Sequence, residues 1–183
     1  MDKKQDIVVR AAQKLFLKYG YTKVNMGDIA KAANMSRPLL YTMFKGKDDI
    51  FENVIWKIAS ELTEKAQKEI VAFDHPLEKL EKLLQIWVLD MFEELSKSEE
   101  AKELYECSYG FVQETMNKVN DLFLTDIENV LQQFPKESLN GGLNPKELAA
   151  IFLASIVGFK KTSENVKDLK SKIQLLTRAT INP

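Results

Sequence analysis

One short segment of the chain combines side chains that suit contact with a nucleic acid. Residues 36–42 read Ser-Arg-Pro-Leu-Leu-Tyr-Thr, and helical spacing turns Leu40 inward. The outward positions can contact a guanine edge or a phosphate through Arg, a thymine methyl through Leu, and phosphate oxygens through two hydroxyls. This outward set, called the reading face below, consists of Arg37, Leu39, Tyr41 and Thr42. The chemistry that it predicts is contact with double-stranded DNA.

Two short helices joined by a tight turn are expected to hold the reading face. Asn25 suits an N-cap, and Asp28 stands where the acid of a capping box belongs. Asn34 can end the first helix in the left-handed conformation. Ser36 suits the next N-cap, and Pro38 falls in a first turn, where a missing N–H matters little. The pattern predicts a helix-turn-helix, with an ordinary helical hairpin as the alternative.

The distribution of charge favours the DNA interpretation. Residues 1–47 contain ten Lys and Arg against three Asp, a net charge of +7, whereas the remaining residues carry a net charge of −8. Lys45 and Lys47 flank Gly46 directly after the predicted motif. A basic segment that coincides with the motif can neutralise phosphates, and an acidic remainder keeps DNA contact at one end.

Composition narrows the possible function classes further. The chain has 183 residues with one cysteine, Cys107, so no internal disulfide forms and a reducing compartment is expected. The opening residues are charged, unlike a signal peptide, and the longest strongly apolar run, residues 148–159, is too short for a bilayer. We therefore expect a soluble, cytoplasmic protein with no membrane partner.

Motifs for an enzyme are missing from the sequence. His75 is the single histidine, and no Glu-x-x-His pair, Cys/His metal cluster, P-loop or dinucleotide glycine motif is present. A helical enzyme is therefore disfavoured, and neither a cofactor nor a metal is expected. His75 is expected to cap or line the turn before Pro76.

Apolar residues recur at intervals of three and four along the whole chain, which predicts an all-α protein of about nine helices. In the first of these helices, the stripe expected to face inward consists of Ile7, Val8, Ala11, Ala12, Leu15, Phe16 and Tyr19. The clearest loop contains Asn140-Gly141-Gly142. Beside the helix-turn-helix pair, helices are expected over about residues 3–19, 47–73, 77–95, 99–111, 113–134, 145–161 and 164–180.

The motif residues resemble those of the tetracycline-repressor (TetR) family of one-component transcriptional regulators. The resemblance covers about residues 3–55. It implies a helix-turn-helix DNA-binding domain at residues 1–46, a helical effector-binding and dimerisation domain at residues 47–183, and a homodimer. The matching residues are Ala12, Leu15, Phe16, Gly20, Tyr21, Asp28, Ile29, Ala30, Ala33, Ser36, Leu40, Tyr41, Phe44 and Lys47.

The same resemblance implies that residues 36–42 enter the major groove and that Tyr41 and Lys47 contact phosphates. The chain departs from the family at Asn34 and Pro38, where Gly is frequent, and at Met43, where an aromatic residue is frequent. The complete set of expected DNA-contacting residues is Asn25, Ser36, Arg37, Pro38, Leu39, Tyr41, Thr42, Lys45 and Lys47.

The second domain is expected to form a dimer and to bind an effector. A helix over residues 148–159 is apolar nearly all round and needs cover on every side, which a second copy of the chain would supply. A central core helix in a monomer is the alternative. Trp87, Met91 and Tyr109 are the expected lining of a pocket, with plain core as the alternative.

Taken together, the residues and the resemblance predict a ligand-responsive repressor. It would bind a (pseudo)palindromic operator as a homodimer, and a small, largely apolar effector would release it by shifting the helix that begins at Lys47. A transcriptional activator of the same fold is one alternative. A helical protein-interaction module with a vestigial DNA-binding end is the other.

Overall fold

The structure is a computed structural model that describes residues 2–101 and 110–182. Over these residues the chain is helical with one isolated β-bridge, so the predicted all-α class is confirmed. A π-helical segment, Gln85–Asp90, joins two of the helices directly. The α-helices are α1 (Lys3–Lys23), α2 (Met26–Ala32), α3 (Arg37–Met43), α4 (Lys47–Ile70), α5 (Pro76–Leu84), α6 (Met91–Leu95), α7 (Gln113–Leu131), α8 (Pro145–Thr162) and α9 (Val166–Thr180).

Helix ends follow local signals that the sequence carries. Regular α1 geometry breaks at Gly20, whose φ of 78° is a left-handed value that suits glycine, as its position predicts. His75 caps α5, because its Nδ1 accepts the Leu77 N–H at 3.2 Å. The predicted helix over residues 77–95 is continuous, but its middle turn is widened into the π-helical segment. Most of the helix predicted over residues 99–111 lies outside the described residues.

The chain divides into two compact units. Unit 1 comprises Met1–Ala59 with Leu95–Asn117, and unit 2 comprises Ser60–Glu94 with Lys118–Pro183. Unit 1 therefore extends beyond residue 46, where the sequence analysis places the end of the DNA-binding domain. The functional division at residues 46 and 47 stays a prediction.

An aromatic cluster forms part of the core of unit 1. The ring centroid of Tyr21 lies 4.7 Å from that of Phe51 and 5.6 Å from that of Phe111, and the centroids of Phe16 and Phe51 are 5.3 Å apart. Edge-on and tilted aromatic pairs contribute about 0.5–1.5 kcal/mol beyond their buried area. Phe111 thus anchors the segment before α7 on the core that carries α1 and α4.

The core of unit 2 includes contacts between α8 and α9. Asn144 and Glu147 form a capping box at the start of α8, and Leu148, Phe152 and Ile156 are buried on one side of that helix. Its other side is exposed in the single chain, so the expectation of cover on every side is not met within one copy. Among the described residues, no helix combines the length and hydropathy that crossing a membrane requires.

Candidate nucleic-acid interface

Local hydrogen bonds define the helix that precedes the reading face. The Asn25 side chain accepts the N–H groups of Gly27 at 2.8 Å and Asp28 at 3.2 Å, and the Asp28 carboxylate accepts the Asn25 N–H at 2.9 Å. This is the predicted capping box. Asn34 then adopts a φ of 54°, the predicted left-handed conformation, so that the chain reverses before α3.

The start and the inner side of α3 also agree with the sequence analysis. Ser36 is the N-cap, and its Oγ accepts the Leu39 N–H at 3.3 Å, while Pro38 lies in the first turn. Leu40 and Phe44 are buried in the core of unit 1. Burial of these two side chains fixes the rotation of α3 about its axis, so the opposite side of the helix faces solvent.

The reading face is largely open to solvent. Arg37 and Thr42 are exposed, Tyr41 is 50% exposed, and Leu39 is half-buried. The Arg37 guanidinium lies 5.9 Å from the centre of the Tyr41 ring, a separation at which a cation–π contact is weak. The Thr42 hydroxyl donates to the Leu39 carbonyl at 2.7 Å, so it must rotate away from that acceptor to donate to a phosphate.

The two lysines after α3 have different surroundings. Lys45 is exposed, and its backbone N–H donates to the Asp49 carboxylate at 2.8 Å. Lys47 is half-buried, and its Nζ donates to the Tyr21 carbonyl at 3.0 Å while lying 4.0 Å from the centre of the Tyr21 ring. The Tyr21 hydroxyl donates to Asp48. Lys47 therefore joins the end of α1 to the start of α4, a role that the sequence analysis missed.

A second polar contact joins α1 to α4. The Lys57 ammonium lies 2.6 Å from the Asp6 carboxylate, and Arg10 Nε lies 2.8 Å from the same carboxylate. These two cations, Lys57 first, hold the pKa of Asp6 below its ordinary value. The Lys57 side chain is only 11% exposed, so this ion pair is better shielded from water than an ordinary surface pair.

The residues predicted to line an effector pocket fall into three situations. Trp87 is buried in unit 2, and its indole N–H donates to the Asp126 carboxylate at 3.0 Å. Met91 is half-buried at the first position of α6. Tyr109 lies outside the described residues. The pocket assignment of all three stays a prediction.

Asp126 is a buried residue that the sequence analysis did not single out. It lies on α7, is 4% exposed, and also accepts the Gln67 side-chain N–H at 3.1 Å. A single Asp between apolar helix positions is typical of a solvated helix face, so the sequence offered no local signal for its burial.

Comparisons with known proteins agree with this geometry. The sequence model described as "Bacterial regulatory proteins, tetR family" matches residues 8–54, which include α2, α3 and the start of α4. A curated protein, the uncharacterized HTH-type transcriptional regulator YhgD of Bacillus subtilis (strain 168), is 32% identical over 68 residues. That match covers 37% of this chain and 35% of YhgD, so the chain spans about a third of the length of this curated relative.

Two solved structures share the fold over nearly the whole chain. FadR of Bacillus subtilis in complex with stearoyl-CoA has a TM-score of 0.72 at 18% identity, covering 93% of this chain and 96% of FadR. SmeT, the repressor of the multidrug efflux pump SmeDEF of Stenotrophomonas maltophilia, has a TM-score of 0.72 at 18% identity, covering 97% of this chain and 90% of SmeT. At this level of identity the likeness concerns the fold.

Proposed function

We propose that the chain, whose residues 8–54 match the sequence model of the tetR family of bacterial regulatory proteins, is a DNA-binding transcriptional regulator that acts as a repressor. One observation carries this proposal above the others. The solvent-facing side of α3 consists of residues that suit DNA contact, and buried Leu40 and Phe44 hold that helix in a single rotation. A rigid helix with its N-terminal residues exposed is what entry into a major groove requires.

Charge supports the same assignment. The segment up to Lys47 carries a net charge of +7 on a chain whose total is −1. Release of counterions from DNA would then supply much of the affinity, with a strong dependence on salt concentration. Base preference would come from Arg37 and Leu39, and phosphate contacts from Tyr41, Thr42, Lys45 and Lys47.

We further propose that the protein is a homodimer paired through α8. Exposed small and apolar residues recur on one side of this helix, and Val157 is 46% exposed there. A soluble monomer seldom leaves such a stripe uncovered, and a symmetric partner would cover it with the same stripe. This dimer face comprises Ala150, Ile151, Ala154, Val157 and Gly158. Two reading faces about 34 Å apart would then reach successive major grooves of a (pseudo)palindromic operator.

The proposed mode of regulation is release from the operator by a small, largely apolar effector bound in the second domain, in the cytoplasm. FadR in complex with stearoyl-CoA is a fold neighbour with a bound ligand, and SmeT is a fold neighbour that represses an efflux pump. For the effector to act, it must bind the released conformation more tightly than the DNA-bound one, since equal affinity shifts neither population.

A band-shift assay on the DNA upstream of the protein's own gene tests the DNA proposal. Arg37→Ala should reduce the preference for this DNA over a scrambled duplex, because it removes a contact with base edges. Arg178→Ala is the matched control, since Arg178 is an exposed arginine of unit 2. Failure of the wild-type protein to bind any duplex at low salt would reject the proposal.

Two further measurements separate the remaining alternatives. A protein-interaction module with a vestigial DNA-binding end would show nucleic-acid binding with no dependence on salt. An activator would bind the same DNA but raise transcription from it, so a reporter gene distinguishes activation from repression.

For the dimer, Val157→Glu should yield a monomer in size-exclusion chromatography, whereas Asn129→Glu, at an exposed site on α7, should not.

A further inference from the structure

Unit 2 contains a buried carboxylate whose hydrogen-bond partners are neutral. Asp126 accepts one hydrogen bond from the Gln67 amide and one from the Trp87 indole. Within the described residues, no Lys, Arg or His side chain pairs with it. Burial of a carboxylate without a charged partner is costly, so a ligand that brings a cation to Asp126 would offset part of that cost.

The surroundings of Asp126 suit an organic cation. Trp87 lies in the π-helical segment, a rare helix form that is frequent at functional sites. The Trp87 ring also packs against Phe123, with 5.3 Å between their centroids. Aromatic faces attract cations and also contact apolar groups, so a carboxylate bonded to the indole of one aromatic pair suits a cation with an apolar body.

We propose that Asp126 binds a positively charged group on the effector, and that the effector is an amphiphilic amine or quaternary ammonium compound. Trp87 and Phe123 contact the apolar part next to that charge. This inference rests on the proposed function and names the chemical class of its ligand.

Gln67 links the proposed cation site to α4. Gln67 lies on α4, the helix that begins at Lys47 directly after the helix-turn-helix. A cation at Asp126 competes with the Gln67 amide for the same carboxylate, because both approach its oxygen atoms. Ligand binding therefore changes a hydrogen bond of α4, which is the kind of differential contact that a conformational shift requires.

Three probes with the same ten-carbon chain test the proposal on the full-length protein: decyltrimethylammonium, decanol and decanoate. Isothermal titration calorimetry should show at least tenfold tighter binding of the ammonium compound than of the other two. Asp126→Asn should weaken ammonium binding at least tenfold and leave decanol binding unchanged. Asp121→Asn, at an exposed site on the same helix, is the matched control and should bind all three probes like wild type.

Gln67→Leu separates a binding role of Asp126 from a purely structural one. Loss of the competing amide should tighten ammonium binding, whereas a carboxylate that only clamps the helices would bind the probe no better. Gln67→Leu also tests whether Asp126 binds the ammonium group if Asp126→Asn fails to fold. The proposal is overturned if wild type shows no preference for the ammonium probe, if Asp126→Asn retains the preference, or if Gln67→Leu does not strengthen it.

Band shifts distinguish failure of this inference from failure of the proposed function. Without any probe, binding to the upstream DNA tests the regulator assignment alone. With decyltrimethylammonium, the DNA affinity of wild type should fall several-fold, and that of Asp126→Asn should stay unchanged. A protein that binds its DNA but lacks the ammonium preference refutes only the ligand class.

Discussion

Replacement of Lys47 by Met removes an ammonium group that the structure places in two contacts. Lys47 Nζ donates to the Tyr21 carbonyl at 3.0 Å and lies 4.0 Å from the centre of the Tyr21 ring. A hydrogen bond from a charged group contributes about 1.5–3 kcal/mol to stability, and an exposed cation–π contact about 0.5–1 kcal/mol. Because Lys47 is only half-buried, water screens both contacts, and we expect a loss of about 1–2 kcal/mol in the free energy of unfolding.

Lys45→Met is the control for this prediction. Lys45 is exposed two residues away, and its backbone N–H rather than its side chain makes the contact with Asp49. Its replacement should change the free energy of unfolding by less than about 0.5 kcal/mol. Both variants remove a predicted phosphate contact, so each should lower the slope of log affinity against log salt by about 0.9 per contact, or about 1.8 for a dimer.

Urea unfolding followed by circular dichroism measures the stability difference, and band shifts at several salt concentrations measure the slope. The reasoning predicts that the two variants agree in slope but differ in stability. If Lys47→Met is as stable as Lys45→Met, the contact between Lys47 and Tyr21 does not hold α1 to α4, and the role assigned to Lys47 is wrong.

Other expected outcomes concern the core of unit 1 and two titrating groups. Leu40→Ala should lower the free energy of unfolding, measured in urea, by about 2–5 kcal/mol and should abolish DNA binding. Leu39→Ala, at a half-buried neighbour, should lower the free energy of unfolding clearly less. Equal losses in the two variants would contradict the burial of Leu40. The lowered pKa of Asp6, caused first by Lys57, stabilises the folded state above the ordinary Asp pKa of about 3.9 and ceases to do so as the pH falls through the lowered value. Asp6→Asn should therefore reduce the melting temperature at pH 7, with a difference from wild type that shrinks in acid; a difference independent of pH would refute this. Burial lowers the pKa of Lys160 to about 8, although the residue remains partly exposed in the single chain. The folded chain then releases this proton before the unfolded chain does, so wild-type stability should rise between about pH 8 and 10, and Lys160→Met should remove that rise in melting scans.

The helix-turn-helix was predictable because its signals act over a few residues. Asn25 and Ser36 each accept an N–H from a residue two or three positions later, and Asn34 adopts a left-handed conformation by itself. Each of these is a property of a short peptide segment, so one sequence suffices to find the start of α2, the turn and the start of α3.

Which side of a helix is buried was harder to predict. The three- and four-residue spacing of α1 places Ile7 and Tyr19 on its inner stripe, yet both are exposed, whereas Val9 is fully buried. The prediction for Ile7 and Tyr19 was therefore wrong. Apolar residues cover a wide arc of this helix, and periodicity gives the existence of a buried side more reliably than its centre. The centre is chosen by the partners, here the core that includes Phe16 and Phe51.

The ligand chemistry that we propose for unit 2 could not be predicted from the sequence, for a related reason. Asp126 meets Gln67 from 59 residues earlier and Trp87 from 39 residues earlier, and nothing near Asp126 in the sequence marks either contact. Its spacing fits a solvated polar face, and only the packing of α4, the π-helical segment and α7 removes it from water. A DNA-reading helix can thus be recognised from its own residues, because its partner lies outside the protein. The proposed effector site is assembled from distant segments, so its carboxylate can be identified only in the folded structure.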